Sequence, residues 1–328
     1  MLAHGQTELE SLQQHAAFAV RDDRAFLRVT GSDATRWLNG MVTNSTQALS
    51  PGEGNYNFLL NAQGRIQGDC LVFRETADTK SPEFLIATNA AQVEAIQEHL
   101  DRFIIMDDVD LTPALTDESS LLLLGPELAQ HLGALHLTLL DPLRIAHADT
   151  PHGRVFQLTP PPSLVPQMEL RANPATLAAL RTELAAAGVP EISTSTLEQL
   201  RLLEGVPRFG VDIRDRELPQ ETSQTHALHF AKGCYLGQEI VERIHSRGQV
   251  HRIFSGFELE GRLPTVPAAL TAGEKSVGEL TSVIEIPNGG TRRLLALGFI
   301  RREALESRVP LSYDGGSAAV RAFSRSIK

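Results

Sequence analysis

A strand–glycine–helix pattern that occurs twice constrains this chain most. Residues 26–30 form an apolar run, Gly31-Ser32-Asp33 interrupts it, and helical spacing then continues to about Met41. Ninety-four positions on, the apolar run 121–124 is followed by Gly125-Pro126-Glu127 and a helical stretch through Leu132. A second pair recurs at an offset of 84. Asn89 precedes Val93, Ile96 and Leu100, and Asn173-Pro174 precedes Leu177, Leu180 and Leu184. Serine, aspartate and asparagine side chains accept hydrogen bonds from the first free amides of a helix. Apolar residues three and four apart then mark its buried face. Further strands are expected at 56–60 and 66–73, around a turn at 61–64, and at 84–87 and 168–170. A helix with Leu197, Leu200 and Leu203 on one face should end at Gly205 and Pro207.

After Gln249 the helical spacing disappears. Apolar runs at 253–259, 277–286, 294–299 and 318–323 alternate with turn signals at Asn288-Gly289-Gly290 and Asp314-Gly315-Gly316. This tail reads as a small β-barrel. The expected class is α+β: two related, ferredoxin-like halves at 15–115 and 116–245, then a C-terminal β-barrel at 246–328.

Charge and cysteine usage narrow the function. Lys and Arg number 30 against 40 Asp and Glu, a formal charge of −10. That opposes a globally basic nucleic-acid binder, and no direct nucleic-acid contact is expected. Arg243, Arg247 and Arg252, with His245 and His251, are one candidate for a local basic patch. The two cysteines, Cys70 and Cys234, have no C-x-x-C spacing and cannot hold a four-thiolate cluster by themselves. Residues 1–14 are polar and no run of 18 apolar residues exists, so no signal peptide or membrane span is expected and the default compartment is the cytoplasm; a monomer is the expected state.

The chemistry concentrates in Lys232-Gly233-Cys234-Tyr235-Leu236-Gly237-Gln238-Glu239. Two glycines permit a tight turn and close approach of a ligand. A neighbouring ammonium favours the thiolate, the reactive form of cysteine. The segment therefore reads as a loop presenting Cys234 to solvent, and the competing reading is a buried thiol acting as a small hydrophobe. Such a thiol could ligate a metal or cluster transiently, form a mixed disulfide or act as a nucleophile. No histidine lies inside the loop to serve as a base. His226, His229, His245 and His251 read as surface or loop residues. Phosphate-binding glycine motifs are absent.

This octapeptide resembles the K-G-C-Y-x-G-Q-E signature of the YgfZ-type folate-binding proteins, relatives of the glycine-cleavage T-protein, an aminomethyltransferase. Pro219-Gln220-Glu221-Thr222, the run from Arg201 to Pro207 and the run from Leu60 to Arg65 resemble further segments of that family. The resemblance implies T-protein-like halves, binding of tetrahydrofolate or a derivative, and support of iron–sulfur enzymes or cluster carriers as partners. On that reading Cys234 carries the function. Lys232, Gly233, Tyr235, Gly237, Gln238 and Glu239 shape its loop. Asn57, Arg65, Asp69, Arg208 and Glu221 are the expected folate contacts, around the 57–69 hairpin and the 208–221 loop.

Two departures weigh against the aminomethyltransferase reaction itself. The T-protein's first aspartate is replaced by Gly68, which neither accepts nor orients a proton. Asp69 is adjacent and should face the opposite side of the strand, where it reads as a solvent-facing residue. The family's pterin-contacting glutamate is replaced by Leu203, with Glu204 displaced by one residue. The rivals are therefore an aminomethyltransferase and a non-catalytic tRNA-modification helper or other partner-binding module.

Overall fold

The computed structural model describes residues 7–114, 119–288 and 291–323. The chain divides into two compact units. One comprises residues 1–60, 68–194 and 229–236, the other 61–67, 195–228 and 237–328.

The first unit holds two five-stranded sheets. One runs in the order Gly54–Leu60, Ile66–Arg74, Phe84–Asn89, Arg24–Thr30, Asp110–Pro113. The other runs Ala17–Arg21, Ser119–Leu124, Gln167–Ala172, Gly153–Leu158, Ile145–Thr150, with every pairing antiparallel. Strand alternation gives each sheet two apolar faces. Leu27, Val29, Cys70, Val72 and Ile86 pack beneath the helices Ala34–Met41 and Val93–Asp101 through Trp37, Leu38, Ile96 and Leu100. Phe18, Leu121, Leu123, Met168 and Leu170 pack beneath Leu128–Leu132 and Pro174–Ala186 in the same way. The inner faces meet through Leu71, Phe73 and Leu85 of one sheet and Ile145, Phe156 and Leu158 of the other. The result is four layers, with helices outside and sheets inside.

Charged side chains also enter that inner layer. Glu169 is 1% exposed, and both its oxygens accept from Arg24 Nε at 3.1 Å. The Arg171 guanidinium lies 3.8 Å from the centre of the Phe26 ring, a stacking that suits its planar, weakly hydrated cation.

The segments that match at an offset of 94 share one turn. Gly31 and Gly125 adopt φ of 115° and 113°, and each carbonyl accepts from the amide three residues on, at 3.1 Å. A β-carbon at Gly31 would lie 2.1 Å from Asp108 O, and one at Gly125 2.0 Å from His15 O. Both asparagine caps form as expected. Asn89 accepts from Ala91 N and Asn173 from Thr176 N, each at 2.9 Å. Asp33 differs: its carboxylate accepts from Asp108 N and Arg36 instead of capping its helix.

The second unit contains a closed six-stranded barrel, in the order Arg252–Gly261, Thr291–Arg301, Lys275–Asn288, Ala268–Ala272, Leu311–Tyr313, Gly316–Arg321. Leu202 from the helix Thr194–Glu204 packs against Phe254, Leu297 and Phe299 of the barrel. Thr196, Leu200, Leu202 and Glu204 are the buried residues of that helix, and Leu203 is half-buried. Fully buried Asp212 accepts from Arg201 Nη1 at 2.6 Å, Thr281 Oγ1 at 2.5 Å and Ser282 Oγ at 2.7 Å, which ties the helix to the barrel wall. The expected turn at residues 288–290 includes Gly289 and Gly290, which lie outside the described residues.

Candidate functional site around Cys234

The segment 229–236 lies along residues 40–44, the end of the Ala34–Met41 helix and the chain that follows it. Leu236 N donates to Gly40 O at 2.9 Å and His229 N to Thr43 O at 3.1 Å. Between them the Lys232 ammonium donates to Val42 O at 2.6 Å and Asn44 O at 2.5 Å. Partner numbers fall from 43 to 40 as the loop advances from 229 to 236, so the two stretches run antiparallel. Tyr235 is buried, and its ring centre lies 5.1 Å from Lys232 Nζ. Gly233 takes φ of 90°, a left-handed conformation that favours glycine, with no atom within 4 Å of where a β-carbon would stand. Its conformation, rather than lack of space, requires the glycine. Cys234 is exposed beside it.

Lys232 engages the loop's surroundings through its head group. Its hydrogen bonds go to two main-chain carbonyls, so the ammonium is committed away from the thiol. Burial pulls its pKa from the ordinary 10.5 down to about 7, because a low-dielectric surrounding disfavours the charged form. Cys70 is the opposite case to Cys234. It is 3% exposed on the helix-facing side of its strand, and burial, then the Asp69 charge, pushes its thiol well above the usual range.

The last two residues of the octapeptide open a helix, a feature the sequence reading missed. Gly237, at φ of 80°, starts the helix Gln238–Arg247. Gln238 and Glu239 form its first turn, and the candidate basic residues Arg243, His245 and Arg247 lie exposed along it. The 61–64 turn packs here, since a β-carbon on Gly64 would lie 2.8 Å from Ile240 Cβ. Gly237 is thus a signal for a helix start as well as for a loop. The 208–233 stretch, read as loop, likewise contains short 3-10 turns at Pro219–Glu221 and Thr225–Ala227.

The expected folate contacts are spread over both units and differ in how far the protein itself occupies them. Asn57 is fully buried. Its side-chain oxygen accepts from Asn44 N at 2.8 Å and its nitrogen donates to Asn55 Oδ1 at 2.6 Å. Glu221 is 6% exposed, and its two oxygens accept from Arg252 and from Leu218 N. Both side chains are thus already engaged by partners within the protein. Arg65 donates through Nη1 to Arg216 O at 2.5 Å, and Arg208 pairs through Nη2 with Glu198. Each keeps further guanidinium donors, which suit a carboxylate-bearing ligand. Asp69 corrects the solvent-facing expectation. It is half-buried, and accepts from Tyr56 Oη and Gln92 Nε2, both at 2.7 Å. Burial raises its pKa above the ordinary value, against the pull of the Gln92 and Tyr56 hydrogen bonds. Gly68 faces the other way, where a β-carbon would lie 2.9 Å from Ile96 Cγ1. Gln92 escaped the sequence reading, and Gln220 entered it only as part of the 219–222 segment, without a role. Gln92 brackets Asp69 by also accepting from its amide at 3.2 Å, and Gln220 Oε1 is buried without a hydrogen-bond partner. The signal for Gln92 was its place four residues before Ile96, on the helix above Gly68.

Among the described residues no cluster of three or more His, Cys, Asp or Glu side chains could hold a metal ion, and no helix is long and apolar enough to cross a membrane.

This architecture is the fold of the glycine-cleavage aminomethyltransferases. The chain superimposes on the crystal structure of glycine cleavage system aminomethyltransferase T from Bartonella henselae with a TM-score of 0.83 and 18% identity, covering 96% of this chain and 87% of that one. Residues 3–155 match the GCVT N-terminal domain. Among relatives, the iron-sulfur cluster assembly factor IBA57 homolog, mitochondrial, of Neosartorya fischeri is 24% identical over 292 residues, covering 84% of this chain. The chain spans 64% of that relative's length. An aminomethyltransferase of Rubrobacter xylanophilus is 26% identical over 278 residues, covering 83% of this chain and 73% of the relative.

Proposed function

We propose that this protein supports the assembly or repair of iron–sulfur enzymes, acts through the Cys234 loop and binds tetrahydrofolate or a derivative of it. It works on this reading as a cytoplasmic monomer that meets cluster enzymes or carriers. One fold hosts many activities, so the site must carry the argument. The carrying observation is the contrast between the two thiols: Cys234 is exposed on a loop held by four hydrogen bonds, whereas Cys70 is core. The similarity to a protein named as an iron-sulfur cluster assembly factor supports the same reading. Arg65 and Arg208 are the residues with spare donors for the carboxylates of a folate's glutamate tail.

The second reading is aminomethyl transfer, favoured by the fold and by the Rubrobacter relative. Gly68 weighs against it, because the carboxylate expected there is missing and its side of the strand is filled by Ile96.

One set of measurements separates the two. Purified protein is titrated with tetrahydrofolate by calorimetry and assayed for 5,10-methylenetetrahydrofolate formation from an aminomethylated lipoyl carrier. Cells lacking the gene are complemented with wild type or Cys234→Ala, and cluster-enzyme activities are read. The expected results are binding at about micromolar strength or weaker, no one-carbon transfer, and failure of Cys234→Ala to restore the cluster enzymes. Robust methylene transfer overturns the first reading in favour of the second. Full complementation by Cys234→Ala removes the thiol from it.

A further inference from the structure

We propose that Lys232 is a positioning residue for Cys234: its ammonium, seated on the carbonyls of Val42 and Asn44, fixes the short arm from which the thiol is presented. The inference rests on the reading of Cys234 as the functional thiol and adds a role for a second side chain.

Three observations carry it. First, the anchoring is long-range and dense. Residues 229, 232 and 236 together deliver four donors to the carbonyls of Gly40, Val42, Thr43 and Asn44. The two from Lys232 are the only ones supplied by a side chain, and they occupy the middle of the run. Second, Gly233 and Cys234 lie between two fixed points. Lys232 is held through its head group and Tyr235 through burial of its ring, and the two face each other at 5.1 Å. Only two residues span the gap, and Gly233 supplies the left-handed turn that closes it. Fixing a short arm in advance removes conformational entropy that a reacting thiol would otherwise lose on engaging its partner. Third, among the described residues the Lys232 head group has no carboxylate partner; its two hydrogen bonds go to main-chain carbonyls. A partly buried ammonium is unfavourable unless it is paired or fully hydrogen-bonded. Neutral main-chain donors already anchor this loop at His229 and Leu236, so holding the chain in place does not require a charge. A charged head on a long, unbranched stem does place two strong donors at the loop's midpoint, where the main chain has turned away toward Gly233.

The competing role for Lys232, direct stabilisation of a Cys234 thiolate, is disfavoured by where its hydrogen bonds go.

The test uses the full chain with three substitutions, Lys232→Met, Lys232→Arg and Lys232→Gln. Amide hydrogen exchange is followed at His229 and Leu236, and a nitroxide attached to Cys234 reports the mobility of the arm by electron paramagnetic resonance. Cys70 is buried and should not take the label. In Lys232→Met the two amides should exchange about tenfold faster or more, as expected from losing hydrogen bonds to a charged donor. The nitroxide spectrum should shift from an immobilised to a mobile line shape, with amide exchange in the barrel unchanged. Lys232→Arg keeps the charge and the donors and should restore both signals toward wild type. Should Lys232→Met not fold, Lys232→Gln, which is too short to reach both carbonyls, carries the same expectation. Wild-type exchange and an immobilised label in the Met or Gln variant overturn the proposal, as does an Arg variant no closer to wild type than Met. These signals are read without any client enzyme. Complementation by Cys234→Ala can therefore defeat the functional reading while the exchange and spin-label data independently decide the role of Lys232.

Discussion

Tyr56 Oη donates to Asp69 Oδ2 at 2.7 Å across neighbouring strands. With Gln92 on the other oxygen, this holds a half-buried carboxylate one residue from the place where the T-protein resemblance expects one. Asp69 and Gly68 point to opposite faces of the same strand, and a one-residue shift therefore exchanges a polar pocket for a helix-packed core.

Gly68→Asp should not create a transferase. The new side chain would press on Ile96 and Gln92 and bury a charge. A loss of about 2 kcal/mol or more is expected from overpacking and desolvation, read by urea denaturation, with no one-carbon transfer in the folded fraction. A stable, active Gly68→Asp protein would show that the strand face has been misassigned.

The Asp69 carboxyl has its folded pKa raised above the ordinary 3.8 by burial. The folded state therefore holds this proton more tightly than the unfolded chain does. Its contribution is fully present below the unfolded value and is lost as pH rises through the folded value. The stability difference between wild type and Asp69→Asn should accordingly move against wild type as pH rises from about 4 toward neutrality. Denaturation midpoints of both proteins across that range test it, and a pH-independent difference would refute it.

Lys232 gives a pH dependence at the other end of the scale. Its folded pKa of about 7 lies below the ordinary 10.5, so between these values the unfolded chain binds the extra proton. Stability rises with pH wherever the unfolded state holds more protons. Wild type should therefore gain on Lys232→Met as pH is raised from 7 toward 10, and lose that gain as pH falls through 7. Paired denaturation curves at pH 6, 8 and 9.5 check the direction. A pH-independent difference would mean that the carbonyl contacts hold the ammonium charged across this range, and would refute the prediction.

The two cysteines should separate cleanly. Iodoacetamide should modify Cys234 and leave Cys70 untouched in the native protein, as read by peptide mass spectrometry. Cys234→Ala should change stability little, and Cys70→Ala should lower it by about 1 kcal/mol or more through the cavity left in the helix-facing core. Faster modification of Cys70 would reverse the assignment of roles.

Gly31→Ala and Gly125→Ala should each destabilise by about 2 kcal/mol or more. In both a β-carbon would meet a backbone carbonyl, at 2.1 Å from Asp108 O or 2.0 Å from His15 O. These oxygens belong to the main chain and cannot swing aside. Thermal melts of the two variants should fall by similar amounts, and a neutral substitution at either site would contradict the shared turn.

Much of this architecture was legible in the sequence because the signals are local. The caps at Asn89 and Asn173, the turns at Gly31 and Gly125, and the alternating tail that closes into a barrel are set by short-range backbone and side-chain chemistry. The octapeptide likewise announced an exposed thiol. What the sequence alone could not determine is which distant groups meet. The strand Ala17–Arg21 pairs with Ser119–Leu124, far along the chain, because strand pairing is decided by competition among partners across the whole chain. Asp69 is withdrawn from solvent by Tyr56 and Gln92, which no spacing rule connects to it. Lys232 turns to carbonyls about 190 residues away in the chain rather than to the thiol two residues along. A side chain's hydrogen-bond partner depends on distance in space, and only the tertiary structure supplies that distance. Residue order fixed which groups were present near Cys234, and packing decided what each of them holds.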